Sequence, residues 1–285
     1  MARRLDGIPG FSIDRVAAQA GDDPEVLRLE NLDTDLKPPP AALEATRAAL
    51  DDDDANSYLP FTGTRALRQA VADHVARLSG HPYAPEHAVV MCGGTEGLFD
   101  ALLAVTDPGD EVVLTDPTYA GMTYRVALAG GVPKLVPFVL DGGRWRLDLA
   151  ALGAAVTQRT RALCLMHPSM PSGAVLDAEA WGAVARLCVE RELWLIYNAA
   201  MERILYDDLE YVHPASLEGM PERTLTVGSV SKEYRMIGWR VGWVVGPPEA
   251  MADVARAHLY NVVAPPGIAQ AGARAALARD EADVK

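Results

Sequence analysis

The sequence predicts an α/β fold, a mostly parallel sheet flanked by helices, and three observations predict it. Short continuous apolar runs alternate with helix-like stretches from residue 64 onward. Runs that are apolar along their whole length mark strands covered on both faces, as in a parallel sheet between helical layers. Hydrophobic residues make up 49 % of the 285 residues and charged residues 23 %, which is enough apolar material for a substantial core and places the chain outside the disordered class.

The first 40 residues are rich in Pro, Gly and acids and read as an extended arm with short ordered pieces. A helix is expected over 41–50, then a solvated turn at the acidic run 51–54. A metal site there is the sharper alternative, but adjacent acids point in different directions. Residues 64–78 read as a helix and 88–91 as a strand, after which Gly93-Gly94-Thr95 opens a helix reaching 105. The turn Asp107-Pro108-Gly109-Asp110 introduces a strand at 111–114. A helix over 122–129, a strand over 132–137, a helix over 147–156 and a strand over 162–166 follow. Asp177 caps a helix reaching 190. Strands are expected at 193–197, 224–227 and 241–245, with a helix over 249–259.

The 26 Lys and Arg against 39 Asp and Glu give a net charge of −13. A chain this acidic lacks the basic footprint of a nucleic-acid or anionic-membrane binder, although backbone amides still allow a local anion site. Cys92, Cys164 and Cys188 have no metal spacing and cannot all pair, so buried free thiols are expected. The N-terminal residues have no apolar signal core and no apolar run is of membrane length, so a soluble cytoplasmic protein is expected.

Ligands of such sheets bind at the carboxyl ends of strands, so chemistry is sought in the segments found there. Of the four lysines (Lys37, Lys134, Lys232 and Lys285), Lys232 alone follows an apolar strand. It lies in Ser229-Val230-Ser231-Lys232, with Gly238-Trp239-Arg240-Val241-Gly242 shortly after. A nearby cation and an apolar setting lower a lysine pKa and expose the unprotonated amine, which suits an imine with an aldehyde cofactor. Taken alone, an exposed surface lysine is the plainer reading. Gly93-Gly94-Thr95 suits a phosphate, because glycine admits close approach and a helix N-terminus offers amides and a positive dipole end. Arg240 completes a clamp, since guanidinium binds phosphate through two parallel bonds. His167, on the loop beside this site, is a candidate for substrate contact; the other histidines show no metal spacing.

These residues resemble the fold-type I pyridoxal-phosphate enzymes, the class I and II group of the aspartate aminotransferase superfamily, over 29–277. The most specific part is Ser229-x-Ser231-Lys232 with Gly238-x-Arg240-x-Gly242. Asn56-Ser57-Tyr58 before Gly63, Gly93-Gly94-Thr95, Asp116-Pro117-Thr118-Tyr119 and Pro168-x-x-Pro171-x-Gly173 support it. The resemblance implies pyridoxal 5'-phosphate as cofactor, an aldimine on Lys232, and a shuttling of the substrate α-proton by Lys232. It implies that Ser229 and Arg240 hold the phosphate with the Gly94 and Thr95 backbone, that Ser231 belongs to the same cofactor-binding set, and that Tyr119 stacks on the pyridine ring. Tyr58 would cross a homodimer interface to the partner's phosphate. The implied domains are an N-terminal arm and small-domain segment (1–50), a cofactor-binding large domain (51–262) and the start of an incomplete, truncated C-terminal domain (263–285).

The sequence departs from the family pattern at the ring. The family loop Asn-Pro-x-Asn-Pro-Thr-Gly reads His167-Pro168-Ser169-Met170-Pro171-Ser172-Gly173, so Met170 stands where a donor to the cofactor's phenolic oxygen is usual. The usual Asp-x-x-Tyr reads Asn198-Ala199-Ala200-Met201. A carboxylate keeps the pyridine nitrogen protonated and the ring an electron sink; neutral Asn198 favours the unprotonated ring, and Met201 removes a second hydroxyl. Members also usually continue past the point where this sequence ends, and the arginine for the substrate carboxylate is expected in that portion.

The function expected is transfer of an amino group from an amino acid to a 2-oxo acid. One alternative is a cyclase or lyase acting on an arginine-derived amino acid. The segments 29–35, 56–60 and 197–203 resemble a divergent subgroup of that kind, which includes capreomycidine synthase. Another is a cofactor-binding protein with weak or no turnover, since fold alone does not establish activity. Ser229-x-x-Lys232 also matches the serine β-lactamase nucleophile motif, but the accompanying Ser-Asp-Asn and Lys-Thr-Gly elements are missing.

Overall fold

The computed structural model describes residues 5–278 apart from 11, 22, 24, 31 and 32. Asn31 and Leu32 of the 29–35 segment, and Lys285, lie outside the described residues. After α1 (Ser12–Ala20) and α2 (Pro40–Ala48) the chain alternates helix and strand. The order is α3 (Arg65–Ser79), β1 (Ala88–Met91), α4 (Gly94–Val105), β2 (Glu111–Asp116), α5 (Ala120–Leu128), β3 (Val132–Asp141) and β4 (Arg144–Leu147). Then come α6 (Leu149–Ala155), β5 (Thr160–Met166), α7 (Ala178–Glu190), β6 (Trp194–Asn198), β7 (Thr224–Ser229), β8 (Gly242–Val245), α8 (Pro248–Asn261) and α9 (Gly267–Leu277).

Local chemistry sets the helix starts. The Thr64 hydroxyl accepts the Leu67 N–H at 3.3 Å, and Asp148 and Asp177 accept the N–H groups of Ala151 and Ala180 at 2.9 Å. Each satisfies an amide that the first helical turn leaves unpaired.

Among the described residues the strands form one eight-stranded sheet, ordered β1-β8-β7-β6-β5-β2-β3-β4. β3, β2, β5, β6 and β7 run parallel, and β8 runs antiparallel to both of its neighbours. Alternate residues of one strand feed opposite cores. Ala162, Cys164 and Met166 pack with Leu98, Leu102, Met122, Val126 and Val254, while Leu163 and Leu165 pack with Leu152, Trp181 and Val184. A third cluster joins Ala42 of α2, Leu67 and Val71 of α3 and Ala273 of α9 to Val90 and Val245. Full burial of a side chain such as Leu or Val stabilises by roughly 1.5–3 kcal/mol, so these layers hold the sheet rigidly beneath its carboxyl edge.

Two features differ from expectation. The strand expected at 132–137 continues to Asp141, turns through Gly142 and Gly143 (φ 55° and 80°) and returns as β4. Leu147, expected to open a helix, therefore ends a strand. A two-residue turn with both φ positive is the hairpin geometry that glycine supplies, and a ribbon with one solvated face does not read as a continuous apolar run. Second, the sequence pattern gives no sign of α9, which packs on α2 and α3. The acidic run 51–54 is an exposed turn closed by the Asn56 side chain, whose Nδ2 donates to Leu50 O and Asp52 O.

Candidate active site

The carboxyl ends of β2, β5, β6 and β7 and the N-terminus of α4 meet at one edge of the sheet. There they enclose a cavity of about 360 Å³. It brings together Gly94, Thr95, Tyr119, Met170, Asn198, Met201, Ser229, Ser231, Lys232 and Arg240. Register explains the assembly: Asn198 pairs with Met166 on one side and Val227 on the other, and Ser229 pairs with Gly242. Tyr58 is outside the cavity and 87 % exposed.

One end of the cavity is built for an anion. Gly93 has φ +82°, and a Cβ there would lie 2.4 Å from Arg240 Nη2. A Cβ on Gly242 would lie 2.4 Å from Gly94 N, so β8 and the Gly93–Gly94 turn touch backbone to backbone. The first amides of α4 have no intrahelical carbonyl to reach and face the cavity with the helix dipole behind them. Arg240 Nη1 donates to Ile237 O at 3.0 Å, and Ser229 Oγ accepts the Ser231 N–H at 3.3 Å. Amides, two hydroxyls and a guanidinium thus line the same cavity.

Lys232 lines the same cavity. It is half-buried, and burial lowers its pKa below the ordinary lysine value; Asp33 opposes the shift and Arg240 adds to it. A lowered pKa raises the fraction of nucleophilic amine at neutral pH. Tyr119 flanks the cavity at the start of α5, with the Arg125 guanidinium 5.9 Å from its ring centre.

The other end is apolar. Met166, Met170, Met201 and Leu98 line it, and Met122 lies against Asn198. Asn198 Oδ1 accepts the Ala200 N–H at 3.2 Å and its Nδ2 faces Met122 Sδ at 3.7 Å. Glu30, from the N-terminal arm, is the one carboxylate among the described residues lining the cavity, and it is paired with Arg28.

His167 does not line the cavity. It is buried edge-on against Trp181, with ring centres 5.5 Å apart, and burial pushes its pKa down to about 4. A strand end locates a backbone, but this side chain turns down into the core rather than up to the edge. Ile13, Glu30, Leu98, Met166, Ala200 and Ile237 also line the cavity, and sequence reasoning misses them. Met166 is within reach of the strand-end rule and Leu98 of helical spacing from Thr95; nothing local marks Ile13. Glu202 and Arg203 are structural: Glu202 bonds Tyr211 and faces His74, and Arg203 pairs with Glu233.

Residues 25–285 match the family model for aminotransferase class I and II. The chain belongs to that family. Among curated relatives of this class I and II chain is the arginine–pyruvate transaminase of Pseudomonas aeruginosa, 35 % identical over 274 residues, which cover 95 % of this chain and 69 % of that protein. Another is a probable N-succinyldiaminopimelate aminotransferase of Mycobacterium tuberculosis, 39 % identical over 223 residues, 78 % of this chain and 56 % of that protein. The chain therefore spans between about half and about two thirds of the length of these relatives. The solved N-succinyldiaminopimelate aminotransferase of Mycobacterium tuberculosis superposes with a TM-score of 0.92 at 33 % identity, covering 100 % of this chain and 74 % of that one. The aspartate aminotransferase of Thermus thermophilus with maleate gives 0.91 at 32 % identity, covering 99 % and 74 %.

Pyridoxal 5'-phosphate is the cofactor of this family. Its groups find matching chemistry here: a cradle at Gly93 that a Cβ would fill, a guanidinium beside it, and a lysine of lowered pKa. The ring end fits by shape and apolarity, but it carries Asn198 where a carboxylate is usual in the family.

Proposed function

We propose that this chain transfers an amino group from an amino acid to a 2-oxo acid with pyridoxal 5'-phosphate attached through Lys232. The observation that carries this is the meeting of Lys232, Arg240 and the Gly94–Thr95 turn in one cavity, although almost 150 residues separate the turn from the arginine. When bound, the cofactor supplies an aldehyde that takes amines and a ring that withdraws electrons from them. In this reading Lys232 Nζ is the attaching amine and, once displaced by substrate, takes the proton from the substrate α-carbon and returns it. The Gly94 and Thr95 amides, Ser229, Ser231 and Arg240 hold the phosphate. Tyr119 would stack on the cofactor's ring, Met170 and Met201 would exclude water beside it, and Asn198 would face its nitrogen. Tyr58 is directed to the same site in a second copy of the chain, making the active unit a homodimer of cytoplasmic chains. Among the described residues no helix is long and apolar enough to cross a membrane. The large cofactor-binding domain is assigned to 51–262, between segments 1–50 and 263–285 that belong to the smaller one. Asn198 and Met201 favour, as a second reading, weak turnover, since a neutral residue at 198 weakens electron withdrawal by the ring; the cyclase or lyase alternative rests on the resemblance of segments 29–35, 56–60 and 197–203.

The test is the visible spectrum of the protein with pyridoxal 5'-phosphate before and after borohydride, followed by peptide mapping. A reducible band and a single label on Lys232 are expected. No band, or label spread over Lys37 and Lys134, overturns the lysine assignment.

A further inference from the structure

Resting on the cofactor reading above, we propose that Asn198 donates an Nδ2–H to the cofactor's ring nitrogen and holds that nitrogen in its unprotonated form. The orientation of the amide carries the argument. The Ala200 N–H lies 3.2 Å from Asn198 Oδ1; a flipped amide would set two donors against each other, so Oδ1 is committed to the backbone. Asn198 lines the cavity, and its Nδ2 has two hydrogens and, among the described residues, a single neighbour to take one, Met122 Sδ at 3.7 Å. A thioether is a weak acceptor and matches one hydrogen at most. The second needs an acceptor, because a buried donor left unpaired costs about 1–3 kcal/mol. Asn198 is 5 % exposed, so water is a poor substitute. An unprotonated pyridine nitrogen is an acceptor; a protonated one would meet N–H with N–H.

The surroundings act in the same direction. Met166, Met170 and Met201 make this end apolar, which disfavours a charged ring. Among the described residues lining the cavity, Glu30 alone has a carboxylate that could offset such a charge. Glu30 is tied to Arg28. The consequence is a weaker electron sink, with slower removal of the substrate α-proton than a carboxylate at position 198 would give.

The experiment loads the protein with pyridoxal 5'-phosphate labelled with 15N in the ring, confirms attachment by the borohydride label, and reads the 15N chemical shift. From pH 6 to 9 the shift is expected to stay in the range of a neutral pyridine, and in Asn198→Asp to move upfield into the pyridinium range. A pyridinium shift in the wild type, or a neutral shift retained in Asn198→Asp, overturns the proposal. If Asn198→Asp does not fold, Asn198→Ala tests the donor: the shift moves downfield toward an unbonded pyridine, and an unchanged shift overturns the assignment. A protein that takes up no cofactor fails at the borohydride step and overturns the underlying reading, and this inference with it.

Discussion

Arg240 holds a left-handed backbone, φ 54°, which costs a side-chain-bearing residue roughly 1–2 kcal/mol. That conformation turns the guanidinium back over Ile237 O and against Gly93, where it closes the anion end of the cavity. Arg240→Ala is therefore expected to weaken pyridoxal 5'-phosphate binding about 10- to 100-fold, the equivalent of one lost charge-assisted contact of roughly 1.5–3 kcal/mol. A fluorescence titration checks it, and unchanged affinity would remove Arg240 from the clamp. At this scale most of the site is legible in the sequence. Lys232, Arg240 and the Gly93-Gly94-Thr95 turn announce themselves by residue type and by position after apolar strands. His167 does not behave as its position implies, because its rotamer is chosen by packing on Trp181.

Among the elements, α8 is tied to α4 by buried charge. His258 Nδ1 meets Glu96 Oε1 at 2.5 Å and His258 Nε2 donates to Phe61 O at 2.8 Å, while Asp100 Oδ1 accepts from Asn261 Nδ2 at 3.0 Å. Glu96, Asp100 and His258 stand as close together as the ligands of a metal ion, but both His258 nitrogens are already committed. Burial works against the His258 charge, yet the Glu96 carboxylate holds its pKa above the ordinary histidine value. Burial, with Glu96 beside it, pushes Asp100 up to about 7. Both shifts have the same sign for stability. A folded-state pKa above the unfolded one means stability that is present at low pH and is lost as pH rises toward the folded value. For Asp100 that loss runs from about pH 4 to about pH 7. Asp100→Asn keeps the bond to Asn261 and does not titrate. Its Tm relative to wild type is expected to gain at least about 2 °C between pH 5 and pH 8, the shift that roughly 1 kcal/mol produces in a chain of this size. A difference constant with pH would show that Asp100 does not titrate in this range.

The element boundaries themselves are readable where strands are buried on both faces, as in β1, β5 and β6. They are misread in the β3–β4 ribbon, where one face meets solvent and the apolar run breaks.

On the scale of the whole molecule, the Phe61–His258 bond anchors the loop that carries Tyr58, a side chain 87 % exposed in the isolated chain. Tyr260 and Leu103 are also exposed, on α8 and α4. Large apolar side chains exposed in this way are ones that a contact between two copies would cover. The protein is expected to sediment as a dimer at micromolar concentration, and Tyr58→Phe to lower cofactor affinity without changing the sedimentation coefficient. A monomer that binds cofactor with full affinity would count against the homodimer.

Sequence alone determined the α/β class, the net negative charge, and which lysine and which glycine turn are the candidates for the site, because apolar periodicity and residue chemistry are local properties. Tertiary structure decided which way His167 points, that α9 returns to pack on α2, that the arm supplies Glu30 to the cavity, and that Asn198 commits its Oδ1 to the Ala200 N–H. Each of these depends on which distant atoms come within a few ångströms. That is set by strand register and helix packing, which no local pattern encodes.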